Sequence, residues 1–299
     1  MIIALALSAS LDVTYEVDEL KVGDITRPFA VTRVAGGKSL NVARSASALG
    51  ADVRAVAALG GATGEWLASM LAADGVQTVV VPLSRVTRTC IAVVESAESA
   101  TSTDLYEPAT EFDAGEWDAF AAAARIAVAE AVARRPIPWV ALSGSVPSGV
   151  PLAGLGELLG DLRTAGARVA VDGSGAGLLA TAQHADLIKV NRREASELLG
   201  VELASANDAC HAVRERYGAD VVITDGVAGS AALIGTVASA VAPATRLGRF
   251  PAGSGDSFLG GLLAAFERGA DAADALAAAA DAGERNALVP GQGILADPE

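Results

Sequence analysis

A chain of 299 residues, 52% of them hydrophobic, can bury a large core, either as one big α/β domain with an appendage or as two domains. A formal charge of −14 excludes a general nucleic-acid binder, which needs a basic footprint, but leaves room for a few Lys and Arg converging on a small anion. Cys90 and Cys210 form no CxxC pair, and His184 and His211 lack ligand spacing, so a zinc site, a disulfide framework or a Ser-His-Asp triad is not expected; reduced, buried thiols in a cytoplasmic protein are.

The first apolar run, 2–7, predicts a strand; it is too short for a signal sequence, and no later stretch has the uninterrupted apolar length of a membrane span. Further strands are expected at 53–58, 78–81, 139–142, 167–171, 187–190 and 221–223, with helices at 40–49, 64–73, 116–133, 152–164, 192–199 and 205–217. This alternation predicts βαβ units and a doubly wound, mostly parallel sheet covered on both faces. Beyond 223 the pattern becomes a hairpin, 230–234 and 236–241 around Gly235, then a helix from about 255 and a final Ala-rich helix. Two segments break the alternation: 12–34, with short extended pieces and turns, and 88–95, an alternating strand followed by a polar stretch to about 113. They are expected to pair as a small sheet outside the main layer.

Most of the predicted strands run into polar or glycine residues: Ser8, Ser10 and Asp12; Ser143-Gly144-Ser145; Asp172; Asn191; Thr224-Asp225-Gly226. One such end is usually a helix cap. Five along one rim of a parallel sheet point to a binding face at the carboxyl ends of the strands.

Ala252-Gly253-Ser254-Gly255-Asp256-Ser257 stands directly before a helical pattern. Small residues there let successive amides turn toward one point at a helix N-terminus, making an anion hole. A carboxylate beside a phosphate repels it, so Asp256 needs a task, and taking the proton from an attacking hydroxyl is one. Gly36-Gly37-Lys38-Ser39-Leu40-Asn41 permits close ligand approach, with Asn41 able to bond sugar hydroxyls. It lacks the upstream glycine of a phosphate-binding GKS loop and does not follow a strand of the parallel set. Asn191 and Glu194, three apart at a helix start, could hold a hydrated Mg²⁺ or form a capping box. The first strand is not followed by GxGxxG, which a nicotinamide-dependent dehydrogenase would require.

Together these motifs resemble the PfkB, or ribokinase-like, carbohydrate kinase family across essentially the whole chain and in order. The matching pieces include Ser10–Asp12, 36–43, 60–64, 87–90, 143–149, 189–194, 224–229 and 253–257. The GGK-x-x-NVAR stretch, Arg88 and the SGS-x-P-x-G loop look like the phosphosugar branch, which includes tagatose-6-phosphate kinase, 1-phosphofructokinase and the minor 6-phosphofructokinase.

The resemblance implies an α/β core from residues 1–11, 35–85 and 113–299 and a β-sheet lid from 12–34 and 86–112, with a homodimer formed through the lid. It implies ATP and Mg²⁺ as cofactors and a ketohexose phosphate as substrate, with no nucleic-acid or membrane partner; the alternative readings are a kinase of an unphosphorylated sugar or nucleoside, which has no need of Arg88 and Lys38, and a non-catalytic sugar-phosphate sensor. Substrate binding would fall to Asp12, Arg27, Gly36, Gly37, Lys38, Asn41, Arg88 and Ser143, with Arg88, Lys38 and Arg27 on the existing phosphate. Thr224, Gly226, Gly229 and Lys189 would serve the nucleotide together with Gly253 and Gly255. Asn191 and Glu194 would organise the metal. Asp256 would be the base, with Gly253, Ser254 and Gly255 building the anion hole beside it. Three residues depart from the family pattern: Ser39, expected to narrow the pocket or add a hydrogen bond; Val190, expected to loosen a turn; and Asp225, unfavourable near phosphates unless it points away or approaches the metal.

Overall fold

A computed structural model describes residues 1–96, 102–134, 137–242 and 246–298. The first apolar run forms β1 (Ile2–Ala6); the chain then leaves the main layer for β2 (Ser10–Val17) and β3 (Ala30–Gly36) before α1 (Lys38–Ala48). It returns through β4 (Val53–Leu59), α2 (Gly61–Ala73) and β5 (Gln77–Pro82), departs again for β6 (Arg88–Glu95) and β7 (Ser102–Tyr106), and comes back along α3 (Ala114–Arg134). Strands and helices then alternate through β8 (Trp139–Ser143), α4 (Leu152–Thr164), β9 (Arg168–Asp172), α5 (Gly175–Thr181), β10 (Leu187–Asn191), α6 (Arg192–Leu199), α7 (Ala206–Tyr217) and β11 (Asp220–Thr224). The hairpin of β12 (Ser230–Ile234) and β13 (Val237–Val241) precedes α8 (Ser254–Glu267) and α9 (Ala272–Ala287).

Among the described residues nine strands form the main sheet, in the order β13-β12-β11-β10-β9-β8-β1-β4-β5. The strands from β11 to β5 are parallel, and the β12–β13 hairpin adds an antiparallel edge. The chain builds outward from β1 to β4 and β5 on one side, then from β8 to β11 on the other. The winding therefore reverses between β1 and β8, and the crevice above their carboxyl ends is where this topology places a ligand.

Strand periodicity divides the core. Ile3 and Leu5 of β1 pack with Phe120 of α3 and Leu155, Leu158 and Leu159 of α4, whereas Ile2, Ala4 and Ala6 face α1 and α8 on the other side. Alanines at 4, 6, 55, 57, 141 and 170 keep that second face shallow, so the helices lie close to the sheet. Glycine tightens the layer further: a Cβ on Gly260 of α8 would stand 2.8 Å from the Val42 carbonyl oxygen of α1, and one on Gly261 would stand 2.9 Å from that of Ala278 in α9.

The second sheet has the order β3-β2-β6-β7 among the described residues, with β2 and β6 parallel and the outer pairs antiparallel. It arises from the two segments that break the alternation, and β7 lies in the stretch read only as polar. Every residue of β7 is exposed, so no period-2 pattern marks it in the sequence. Residues 97–101 of the expected 86–112 segment lie outside the described residues. The short α5 also went unassigned; seven residues beginning Gly-Ala-Gly carry too little periodicity to read as a helix.

Candidate active site

Two adjoining cavities open along the carboxyl ends of the parallel strands. The smaller, about 550 Å³, lies over the β1–β8 crevice, and Asp12, Lys38, Arg88, Ser143, Asp172 and Asp256 are among its walls. The larger, about 930 Å³, is bounded by Thr224, Gly226, Gly229, Ser230 and Phe258. Asn191, Thr224 and Gly255 border both, so the cavities meet at the amino end of α8.

Gly253, the residue before α8, has φ 84°, which turns the chain sharply into the helix. Ser254 N–H closes this turn onto the Pro251 carbonyl at 3.2 Å, and Ser257 N–H donates to the Gly253 carbonyl at 2.8 Å. Of the expected anion hole, Ser254 therefore spends its amide on the turn, whereas Gly255 and Asp256 hold the helix-start positions that lack intrahelical acceptors. Asp256 is buried at the base of the smaller cavity. Asn41, fully buried on α1, donates from Nδ2 to Asp256 Oδ2 at 2.8 Å and to Gln292 Oε1 at 3.3 Å. Burial pushes the Asp256 carboxyl up to about 7; the Asp172 charge adds to this, while Lys38, the Asn41 hydrogen bond and Lys189 oppose it. A carboxyl tuned there is a competent proton acceptor near neutrality.

Asp12 of β2 lies in the same cavity, its Oδ1 accepting from Ser10 Oγ at 2.6 Å. Burial raises it to about 6, against the Ser10 and Gly37 N–H hydrogen bonds and the charges of Arg88 and Arg44. Gly36 makes room for it, because a Cβ there would run into the Asp12 carboxylate. Gly37 has φ 96°, and a Cβ on it would stand 2.5 Å from the Ser8 carbonyl oxygen. Arg88 gives one Nη1–H to the Glu107 carbonyl at 2.9 Å, while its Nε is buried and unpartnered. Ser143 Oγ and Asn41 Oδ1 are likewise buried without a partner. Orphaned polar atoms of this kind are costly unless a ligand or water satisfies them. Ser39 adds a hydrogen bond rather than crowding the pocket: its Oγ donates to the Ser143 carbonyl and accepts from the Ser143 amide, both at 2.9 Å, tying α1 to the end of β8.

Lys189 is buried and paired with Asp172 at 2.9 Å, and a Cβ on Gly255 would lie 3.0 Å from its Nζ. It lines the smaller cavity, whereas Gly226 and Gly229 border the larger one and Thr224 borders both. Lys38 has its pKa raised chiefly by Asp172, against desolvation, with Asp256 and Glu194 contributing. Its side chain lies in the wall of the smaller cavity together with Arg88. Asp225 is paired with Arg192, whose Nε donates to its oxygens at 3.1 and 3.0 Å, and the pair stands in the wall of the larger cavity. Val190 does not loosen a turn; it is buried inside β10, in register with Ile223 of β11.

Asn191 and Glu194 form a capping box: Asn191 Oδ1 accepts from Glu194 N–H at 2.8 Å and Glu194 Oε2 from Asn191 N–H at 2.9 Å. One Glu194 oxygen is left, at the wall of the smaller cavity. Among the described residues no group of three or more His, Cys, Asp and Glu could cage a metal. A single carboxylate supplemented by water and phosphate fits Mg²⁺, which keeps most of its water. Arg27 stands apart, exposed in the β2–β3 connection and outside both cavity walls. Asp172, Tyr106 and Gln292 were not singled out from the sequence as site residues, yet all three line the smaller cavity. The polar end of β9 was a signal for Asp172; nothing local marks Tyr106 or Gln292.

A sequence model described as pfkB family carbohydrate kinase matches residues 4–297. The 1-phosphofructokinase of Rhodobacter capsulatus is 31% identical over 278 residues, 91% of this chain and 86% of that protein. Phosphofructokinase-2 from Escherichia coli, crystallised with potassium, superposes with a TM-score of 0.87 at 26% identity, covering 99% of this chain and 95% of that one. Its complex with fructose-6-phosphate gives 0.84 at 27% identity, with 95% and 92% covered. The chain belongs to the pfkB family of carbohydrate kinases and is an ATP-dependent kinase of phosphofructokinase type.

Proposed function

We propose that this protein transfers the terminal phosphoryl group of ATP to a ketohexose phosphate, forming a bisphosphate: tagatose 6-phosphate or fructose 6-phosphate at O1, or fructose 1-phosphate at O6. The observation that carries this reading is a single cavity holding a carboxyl with a pKa of about 7 and, in its wall, an arginine whose Nε is buried and unpartnered. The names of the phosphofructokinase relatives support it.

Asp12 and Asn41 Oδ1 orient sugar hydroxyls, and Arg88 grips the phosphate already present, where a guanidinium suits two-pronged binding. Asp256 takes the proton of the attacking hydroxyl. Lys38 and the amides at the start of α8 meet charge developing on the transferring group. Glu194 is the residue that would hold Mg²⁺ through water, and the ion, when bound, neutralises charge on the ATP phosphates. The larger cavity takes the nucleotide, with Thr224, Gly226 and Gly229 along it. The second sheet serves as a lid that excludes water, and a second copy covers its exposed apolar residues Val22, Ile25, Phe29 and Leu105. A cytoplasmic setting suits the free Cys90 and Cys210.

A coupled ADP-release assay with Mg-ATP against tagatose 6-phosphate, fructose 6-phosphate, fructose 1-phosphate, fructose and ribose tests the assignment. Turnover of one phosphosugar well above its free sugar is expected. Turnover of free sugars alone would mean that Arg88 is misread, and no turnover at all would favour a non-catalytic sugar-phosphate sensor.

A further inference from the structure

A chain of polar side chains runs from the second sheet to Asp256. Tyr106, at the end of β7, donates its hydroxyl to Asp104 Oδ2 at 3.5 Å and shares the cavity wall with Gln292, whose side chain opposes the rise that burial imposes on the Tyr106 pKa. Gln292 Oε1 in turn accepts from Asn41 Nδ2, the nitrogen that also donates to Asp256 Oδ2. When both end carboxylates are ionised they only accept, and the consistent polarity directs Gln292 Nε2–H toward the Tyr106 oxygen and leaves Oε1 for Asn41.

Gln292 is also built into its place. Gly291 (φ 101°) and Gly293 (φ 77°) flank it in conformations suited to glycine. Arg44, buried on α1, donates from Nη1 to the Gln292 carbonyl at 2.7 Å. A Cβ on Gly253 would stand 2.8 Å from Gln292 Cβ, so the residue is packed on the turn that presents Asp256.

We propose that Gln292 is a positioning residue that fixes the Asn41 amide against Asp256, and that Tyr106 makes this setting depend on the second sheet lying over the site. An Asn amide can offer a neighbour either its oxygen or its NH₂. A protonated Asp256 accommodates both; Gln292 Oε1 accommodates only the NH₂. Gln292 thus keeps a donor on Asp256, which favours its ionised form, and leaves the buried, unpartnered Asn41 Oδ1 for a substrate hydroxyl. The charged groups facing Asp256 are Asp172 from β9, Lys38 from α1 and Lys189 from β10, and Gln292 changes none of them. This inference rests on Asp256 being the base.

The test compares Gln292→Met, Tyr106→Phe and Asp256→Asn with the wild-type protein in kcat, KM for each substrate and the pH dependence of kcat. Gln292→Met keeps side-chain length and removes the acceptor. It is expected to lower kcat about three- to tenfold, the worth of one hydrogen bond. It is also expected to move the acid limb of the profile to higher pH and to leave KM for ATP close to wild type. Tyr106→Phe should do the same more weakly. A raised KM for the sugar with kcat and the acid limb unmoved would make Gln292 a plain substrate contact and overturn the proposal, as would no change at all. Should Gln292→Met not fold, Tyr106→Phe on its exposed strand decides: a shifted acid limb supports the coupling and an unshifted one overturns it. Wild-type turnover by Asp256→Asn would instead defeat the base assignment, whatever the Gln292 variant does.

Discussion

Asp256 is a carboxyl made a weaker acid by folding, and this has a consequence for stability as well as catalysis. Between about pH 4, where an unfolded Asp ionises, and about pH 7, the native state holds a proton that the unfolded chain has lost. Its contribution to stability therefore falls as pH rises through this window. Asp256→Asn removes the effect, so the variant should melt a few degrees above wild type at pH 8, with the gap closing toward about pH 4; a gap of the opposite sign would contradict the assigned burial cost. Lys38 lowers the Asp256 pKa, so Lys38→Met should shift the acid limb of the kcat profile upward. Arg88→Ala removes the cation whose Nε is buried and unpartnered. KM for the phosphosugar should rise roughly 10- to 100-fold, the value of a charge-assisted contact, with KM for ATP little changed. Equal effects on both would argue against a phosphate role.

At the level of elements, the site is a meeting of helix starts and strand ends, and glycine decides how closely they meet. Gly253→Ala places a Cβ at a positive φ and 2.8 Å from Gln292 Cβ. The variant should lose kcat well beyond its change in melting temperature, because the strained residue is the one that aims α8. The strand ends at Ser143, Asp172, Asn191 and Thr224 were legible in the sequence because each closes an apolar run, whereas Asp12, read as the polar end of the first strand, lies inside β2. So was the turn before Asp256, where small residues precede a helical pattern. Gln292 and Tyr106 were not, since their partners are brought together only by the fold: Asn41 is 251 residues from Gln292 and 215 from Asp256. The β7 strand was missed because a strand exposed on both faces has no pattern to show. Asn191 and Glu194 illustrate the opposite case: their spacing suits either a cap or a metal, and in the structure the cap takes the Asn191 oxygen and one oxygen of Glu194.

Across the whole molecule, the main sheet supplies a rigid rim and the second sheet supplies Asp12, Arg88 and Tyr106 from above it. Arg249, close in sequence to the turn that precedes Asp256, reaches the second sheet through the Glu95 carbonyl at 3.2 Å and Glu16 at 4.0 Å, a further tie between the two layers. The apolar residues left on the second sheet predict a dimer in solution. Phe29→Glu combined with Leu105→Glu should halve the mass seen by light scattering, and a monomeric wild-type protein would contradict the pairing. The measurement that bears most directly on the whole account is kcat of Asp256→Asn with Mg-ATP and the preferred phosphosugar, beside its melting curve. The account predicts an intact fold and a loss of two to four decades, roughly what removal of a general base costs. Turnover within about tenfold of wild type in a folded variant would contradict it.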